Sequence, residues 1–131
     1  SENNPLTFIE RLKIIYEALK DNGVSPKNFY IVPFPISFPN LIINYVPIES
    51  THYITIFNKW GHEKVDKLKN EGFNVVVLFE KPISEKKISS TLIRDLIVEG
   101  GEWETLVPKS VQKYVEELNL RERIIQLRKY K

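Results

Sequence analysis

"HYITIFNKWGHEKVDKLKNEGFNVVVLF", residues 52–79, decides the architecture. Its first part, His52 to Asn58, is rich in β-branched and aromatic residues and reads as a strand. A charged segment ending at Gly72 reads as a surface helix. Asn74 to Phe79 is then a continuous apolar run, the pattern of a strand covered on both faces. A strand, a helix and a second strand in that order form a parallel pair, because parallel neighbours need a crossover of a dozen or more residues.

The flanks extend the pattern. Residues 7–21 carry Phe8, Ile9, Leu12, Ile15, Tyr16 and Leu19 at helical spacing, with Thr7 and Glu10 as a capping box and Gly23 past the end. "NFYIVPF" (28–34) reads as a buried strand, stopped by Pro33 and Pro35. "NLIINYV" (40–46) fits helix or strand and is taken as helix. After a polar loop, Ser90 to Glu99 reads as a helix closed by Gly100 and Gly101. Trp103 marks a turn and is expected in the core, Pro108 starts another helix, and residues 119–131 form the last. One domain over residues 1–131 is expected, a parallel sheet with helices on its faces. Ligands of such sheets bind at the carboxyl ends of the strands, here Pro33–Ser37, Asn58–Trp60 and Glu80–Pro82.

Composition narrows the function classes. The net charge is only +2, so an anion site must be local, and no nucleic-acid partner is expected. The tail cations Arg121, Arg123, Arg128, Lys129 and Lys131 interleave with glutamates and read as a solvated face. Absence of cysteine excludes disulfides and thiolate metal sites. No apolar run approaches membrane-spanning length and no signal peptide is visible, so no membrane partner and a cytoplasmic location are expected. The chain has no methionine and begins at Ser1, which leads us to expect an N-terminal portion before it.

The chemistry concentrates in "ISSTLIRDLIVEGGEWETLVPKSV", residues 88–111. A helix start exposes unpaired backbone N–H groups and positive potential, which favour anions. Ser89, Ser90 and Thr91 add hydroxyl donors there, and Arg94, three residues after Thr91, can grip two phosphate oxygens. The competing reading is a plain cap, since Ser and Thr are preferred at helix starts in any case.

"ISSTLIRDLI" followed by "WETLVPKSVQKYV" resembles the second signature of the nucleotidyltransferase α/β-phosphodiesterase superfamily. More closely, it is similar to the archaeal nicotinamide-mononucleotide adenylyltransferases, whose pattern is Ser-(Gly/Ser)-Thr-x-(Ile/Val)-Arg, then Trp, then Leu-(Val/Leu)-Pro. "NNPLTFIERLKII" resembles their Asn/Asp-Pro-Phe-Thr-x-x-Glu-Arg helix, "FYIVPFP" their third strand and "ITIFNKW" their fourth. The resemblance implies a Rossmann-like, doubly wound parallel α/β sheet with C-terminal helices, of the nucleotidylyl transferase type. It implies transfer of AMP from ATP to a mononucleotide such as nicotinamide mononucleotide, forming NAD and pyrophosphate. Ser89, Ser90, Thr91 and Arg94 would contact the triphosphate, Arg94 as the catalytic charge neutraliser, and Asn58 would line the ATP side. Mg²⁺ would arrive with the ATP phosphates, and a homo-oligomer is expected although no segment shows an interface.

The chain also departs from that family. The Gly-Arg-Phe-Gln-Pro-x-His-x-Gly-His signature is absent, so residues 1–131 are expected to be the C-terminal two thirds of a longer chain and inactive alone. The missing first two strands would lie between strands three and four and leave open sheet edges. His52 and His62 have no ligand spacing and read as surface residues, so no protein metal site is expected. "FPISFPN" lacks the family's acid after the third strand. In "NLIIN", Ile43 stands three residues after Asn40, where the family stacks the nicotinamide on a Trp; a branched aliphatic has no such π-face. Asn40, Ile43 and Trp60 are therefore the acceptor-site candidates, and a different acceptor or a non-catalytic ATP-binding regulatory module are the alternatives.

Overall fold

The computed structural model describes residues 1–130, which form two compact units: Val32–Lys87, and Ser1–Ile31 with Ile88–Lys131. Lys131 lies outside the described residues.

The middle unit is the β-α-β element: β1 (Thr51–Ile56), α1 (Lys59–Asn70) and β2 (Asn74–Glu80). The strands pair in parallel, Thr51 opposite Asn74 and Ile54 opposite Val77. Thr55 then faces Phe79, so the ladder skips Leu78 in a bulge. This is the α/β, Rossmann-like arrangement, with helix on parallel sheet. Asn58, two residues past β1, caps α1, its Oδ1 accepting from the Gly61 N–H at 3.2 Å. Gly61 is required by close approach: a Cβ there would stand 3.1 Å from Ile56 Cα. Ile54, Ile56, Val65, Leu68 and Phe73 close the core together with Ile42 from the 3₁₀ turn Pro39–Asn44. The helical reading of 40–46 is met by that tighter turn.

Two expectations for this unit are corrected. The 74–79 run is not covered on both faces: Val75 is half-buried, while Val76, Val77, Leu78 and Phe79 are exposed. A continuous apolar run reports affinity for a covered sheet, but only a neighbouring layer covers it, and most of β2 has none. His52 is half-buried rather than an ordinary surface residue. Its ring sits between Phe34 at 5.8 Å and Phe73 at 4.7 Å, with Nε2 buried and unpartnered.

The second unit is helical: α2 (Phe8–Asp21), which is first in the chain, then α3 (Ser90–Glu99), α4 (Lys109–Glu117) and α5 (Leu120–Lys129). Both halves of the Thr7–Glu10 capping box form. The core is Ile97, Trp103, Val115, Leu120 and Ile124, with Ile93, Leu96, Val107 and Val111 against it. Trp103, 8% exposed, is core as expected.

The strand expected at 28–34 does not form. Pro26–Asn28 is a 3₁₀ turn, and the residues after it are extended without a ladder partner. Phe29 tilts against Tyr16 at 5.8 Å, whereas Tyr30 is 95% exposed. Extended propensity makes a strand only when another strand accepts its hydrogen bonds, and Pro33 and Pro35 cannot donate at all. The tail is not simply a solvated face either. Arg123 pairs with Glu10 at 2.7 Å and Arg128 with Asp95 at 2.5 Å, both partly buried, which ties α5 to α2 and α3.

Candidate functional site

At α3, Ser89 is the N-cap and its Oγ accepts from the Leu92 N–H at 3.1 Å. Gly100, at φ 77°, ends the helix in the left-handed conformation that glycine adopts without strain. Ser90, Ile93, Arg94 and Ile97 fall at i, i+3, i+4 and i+7, hence on one face. That face lines a cavity of about 420 Å³, whose floor is apolar (Leu6, Val107 and Val111 among others) and whose rim carries Asn4 and Arg11. Thr91 is exposed and accepts from Arg94 Nη2 at 3.1 Å, holding the guanidinium over the first turn of the helix. Thus Ser90 and Arg94 share the cavity, and Ser89 and Thr91 set the helix start and the arginine beside it.

The charge pattern here separates the arginines. Arg121, Arg123 and Arg128 each meet a carboxylate, at 3.3, 2.7 and 2.5 Å. Arg94 and Arg11 meet only neutral oxygens among the described residues, Thr91 Oγ1 at 3.1 Å and Asn4 Oδ1 at 3.2 Å. No aspartate or glutamate lines the cavity. Glu10, next to Arg11 in sequence, is committed to Arg123 and to the Thr7 N–H, and its carboxyl is held at about 2 by the Arg123 hydrogen bond first and the Thr7 backbone bond second. A half-buried guanidinium without a counter-charge suits an anion that comes from outside.

The other candidates lie in the β-α-β unit. Asn58 lines two clefts at the carboxyl ends of the strands. The larger, about 570 Å³, also holds Lys59, His62, Glu80 and Lys81. The smaller, about 300 Å³, also holds Trp60, Lys64 and Lys86. Trp60 is 43% exposed, with Lys67 Nζ 4.7 Å from its ring centroid. His62 Nε2, on the first turn of α1, lies 2.5 Å from Glu80 Oε1 at the end of β2. Asn40 and Ile43 are exposed on the 3₁₀ turn, where Ile43 leaves the core to its neighbour Ile42. Neither borders the clefts that hold Asn58.

Sequence reasoning passed over Arg11 and the His62–Glu80 pair. A signal existed for the first, since Arg11 closes the Thr-x-x-Glu-Arg segment that carries the cap. None existed for the second, because its members are 18 residues apart and meet only where α1 packs beside the end of β2. Among the described residues no group of three or more His, Asp or Glu side chains is placed to hold a metal ion.

No family model matches the chain. It is 37% identical over 123 residues, 94% of its length, to phosphonoformate cytidylyltransferase of Streptomyces viridochromogenes, of which it covers 66%. It is 38% identical over 126 residues to nicotinamide-nucleotide adenylyltransferase of Pyrococcus furiosus, covering 64% of that protein. Identity to the enzyme of the same name from Saccharolobus solfataricus is 34% over 116 residues, 66% of that protein. The chain spans just under two thirds of the length of these curated relatives.

Proposed function

Because the chain belongs to the nucleotidyltransferase family that includes the archaeal nicotinamide-nucleotide adenylyltransferases and phosphonoformate cytidylyltransferase, we propose that its cavity at α3 serves nucleotidyl transfer. An oxygen of the acceptor's phosphate attacks the α-phosphorus of a nucleoside triphosphate, the bond to the bridging oxygen breaks, and pyrophosphate leaves. In the adenylyl form the donor is ATP, the acceptor nicotinamide mononucleotide and the product NAD. Such chemistry asks the protein for position and charge neutralisation more than for covalent participation.

The observation that carries the reading is Arg94: half-buried, without a carboxylate, and beside Ser90 in a cavity free of acids. Ser89, Ser90 and Thr91 would orient the triphosphate at the helix start, and Arg94 would bridge the transferring and leaving phosphates. Since no protein carboxylate stands in the cavity, Mg²⁺ would be held by phosphate oxygens and water. Residues 1–131 are proposed to act as part of one nucleotidyltransferase domain, in the cytoplasm and as a homo-oligomer.

A second reading changes the acceptor. Ile43 offers no ring face and the segment FPISFPN carries no acid, which favours an acceptor without a nicotinamide ring, such as a small phosphonate with CTP as donor. Calorimetric titration separates these readings. ATP binding that weakens by about 1.5–3 kcal/mol in Arg94→Ala, with partial recovery in Arg94→Lys, supports the site. Unchanged affinity returns the start of α3 to a plain cap. Stabilisation by CTP and phosphonoformate in place of ATP and nicotinamide mononucleotide selects the second reading.

A further inference from the structure

The geometry points to Arg11 as a second phosphate-binding residue of the same cavity, acting with Arg94 as a two-armed clamp on one polyphosphate. This rests on the reading of Arg94 given above and extends it to a residue that no motif assigns to the reaction.

Three observations carry it. Arg11 and Arg94 both line the cavity of about 420 Å³, although they come from separate stretches of the chain. Neither meets a carboxylate among the described residues, while Arg121, Arg123 and Arg128 all do. The carboxylate that might have neutralised Arg11, Glu10, is withdrawn: residues i and i+1 on a helix do not face each other, and Glu10 is bound to Arg123 at 2.7 Å and to the Thr7 N–H at 2.8 Å. The capping box thus does two things at once. It starts α2, and it leaves the next residue's guanidinium without a carboxylate among the described residues, bonded to Asn4 Oδ1 at 3.2 Å.

Two guanidiniums around an acid-free cavity repel each other when it is empty and are satisfied together by a ligand of two or more negative charges. Inorganic pyrophosphate is the smallest such probe, and it is also the leaving group of the proposed reaction. A ligand held by both arms would link residues 1–31 to residues 88–131 and raise the melting temperature of the helical unit.

The test is titration of ATP and of inorganic pyrophosphate into the wild-type chain, Arg11→Ala, Arg11→Lys, Arg94→Ala and the double variant, with Arg121→Ala as the control. Arg11 is exposed, so the ligand-free melting temperature of Arg11→Ala should equal wild type. Expected is at least a tenfold loss of affinity for both probes in Arg11→Ala, partial recovery in Arg11→Lys, and no change in Arg121→Ala. Wild-type affinity in Arg11→Ala with a loss in Arg94→Ala overturns the clamp and leaves the Arg94 reading standing. Wild-type affinity in both single variants overturns the Arg94 reading as well. If Arg11→Ala weakens ATP but leaves pyrophosphate at wild-type affinity, the clamp on the polyphosphate is refuted.

Discussion

The guanidinium of Arg123 meets the carboxylate of Glu10 at 2.7 Å, across 113 residues of sequence, and Arg123 also donates to the Pro5 carbonyl at 3.3 Å. One arginine of α5 therefore fastens the capping box of α2 and the peptide that leads into it. The arrangement uses Glu10 twice, as helix cap and as ion-pair partner.

The first prediction concerns acid stability. The Glu10 carboxyl is lowered from 4.5 to about 2, mainly by its hydrogen bond from Arg123. A depressed carboxyl stabilises the fold above its unfolded value, and that contribution fades as pH falls from 4.5 through about 2. Glu10→Gln keeps the capping geometry and removes the charge, so denaturant unfolding between these values should show a smaller pH slope than wild type. An identical slope in the two proteins would contradict this.

His52 should act in a higher range. Burial lowers its pKa from 6.5, so the folded state favours the neutral ring held between Phe34 and Phe73. The unfolded chain takes up the proton more readily, so stability is full above 6.5 and declines as pH drops below it toward the lowered folded value. His52→Phe removes an unpartnered buried nitrogen. It should abolish the decline and cost no stability at pH near 8, as read by urea midpoints.

Gly61→Ala should destabilise the β-α-β unit by about 1–3 kcal/mol, because the added methyl meets backbone as well as side chain. Its carbon would lie 3.1 Å from both Cα and Cγ2 of Ile56, and the Cα cannot move without shifting β1. Thermal unfolding followed by circular dichroism measures the loss.

In the helical unit Ile124 is fully buried among Ile97, Trp103, Val115 and Leu120. Ile124→Ala should cost about 2–5 kcal/mol through lost transfer energy and the remaining cavity. Because the cavity at α3 shares Ile97, Val115 and Leu120 with this core, the proposed site predicts that ATP affinity falls in the same variant. Retained affinity in a destabilised Ile124→Ala would separate the cavity from the core.

Local signals read correctly wherever the physics is local. Thr7 with Glu10, Asn58 before α1, Ser89 before α3 and Gly100 after it act within about one helical turn, so their residue types mark the boundaries directly. The helix face Ser90–Ile93–Arg94–Ile97 follows from spacing alone. Segment 28–34 and the exposed part of β2 depart from their composition for one shared reason. Apolar and β-branched composition states what a segment could pair with or be covered by, while the partner has to be supplied elsewhere.

By itself the amino-acid order determined the helix starts and ends, the parallel β-α-β element and the serine, threonine and arginine that open α3. These depend on neighbours a few positions apart. Only the tertiary structure decided which cations remain unpaired. Whether an arginine is neutralised depends on carboxylates delivered from distant segments, as Glu10 is to Arg123 and Asp95 to Arg128. Chain folding spends those acids on α5 and leaves Arg11 and Arg94 facing one acid-free cavity.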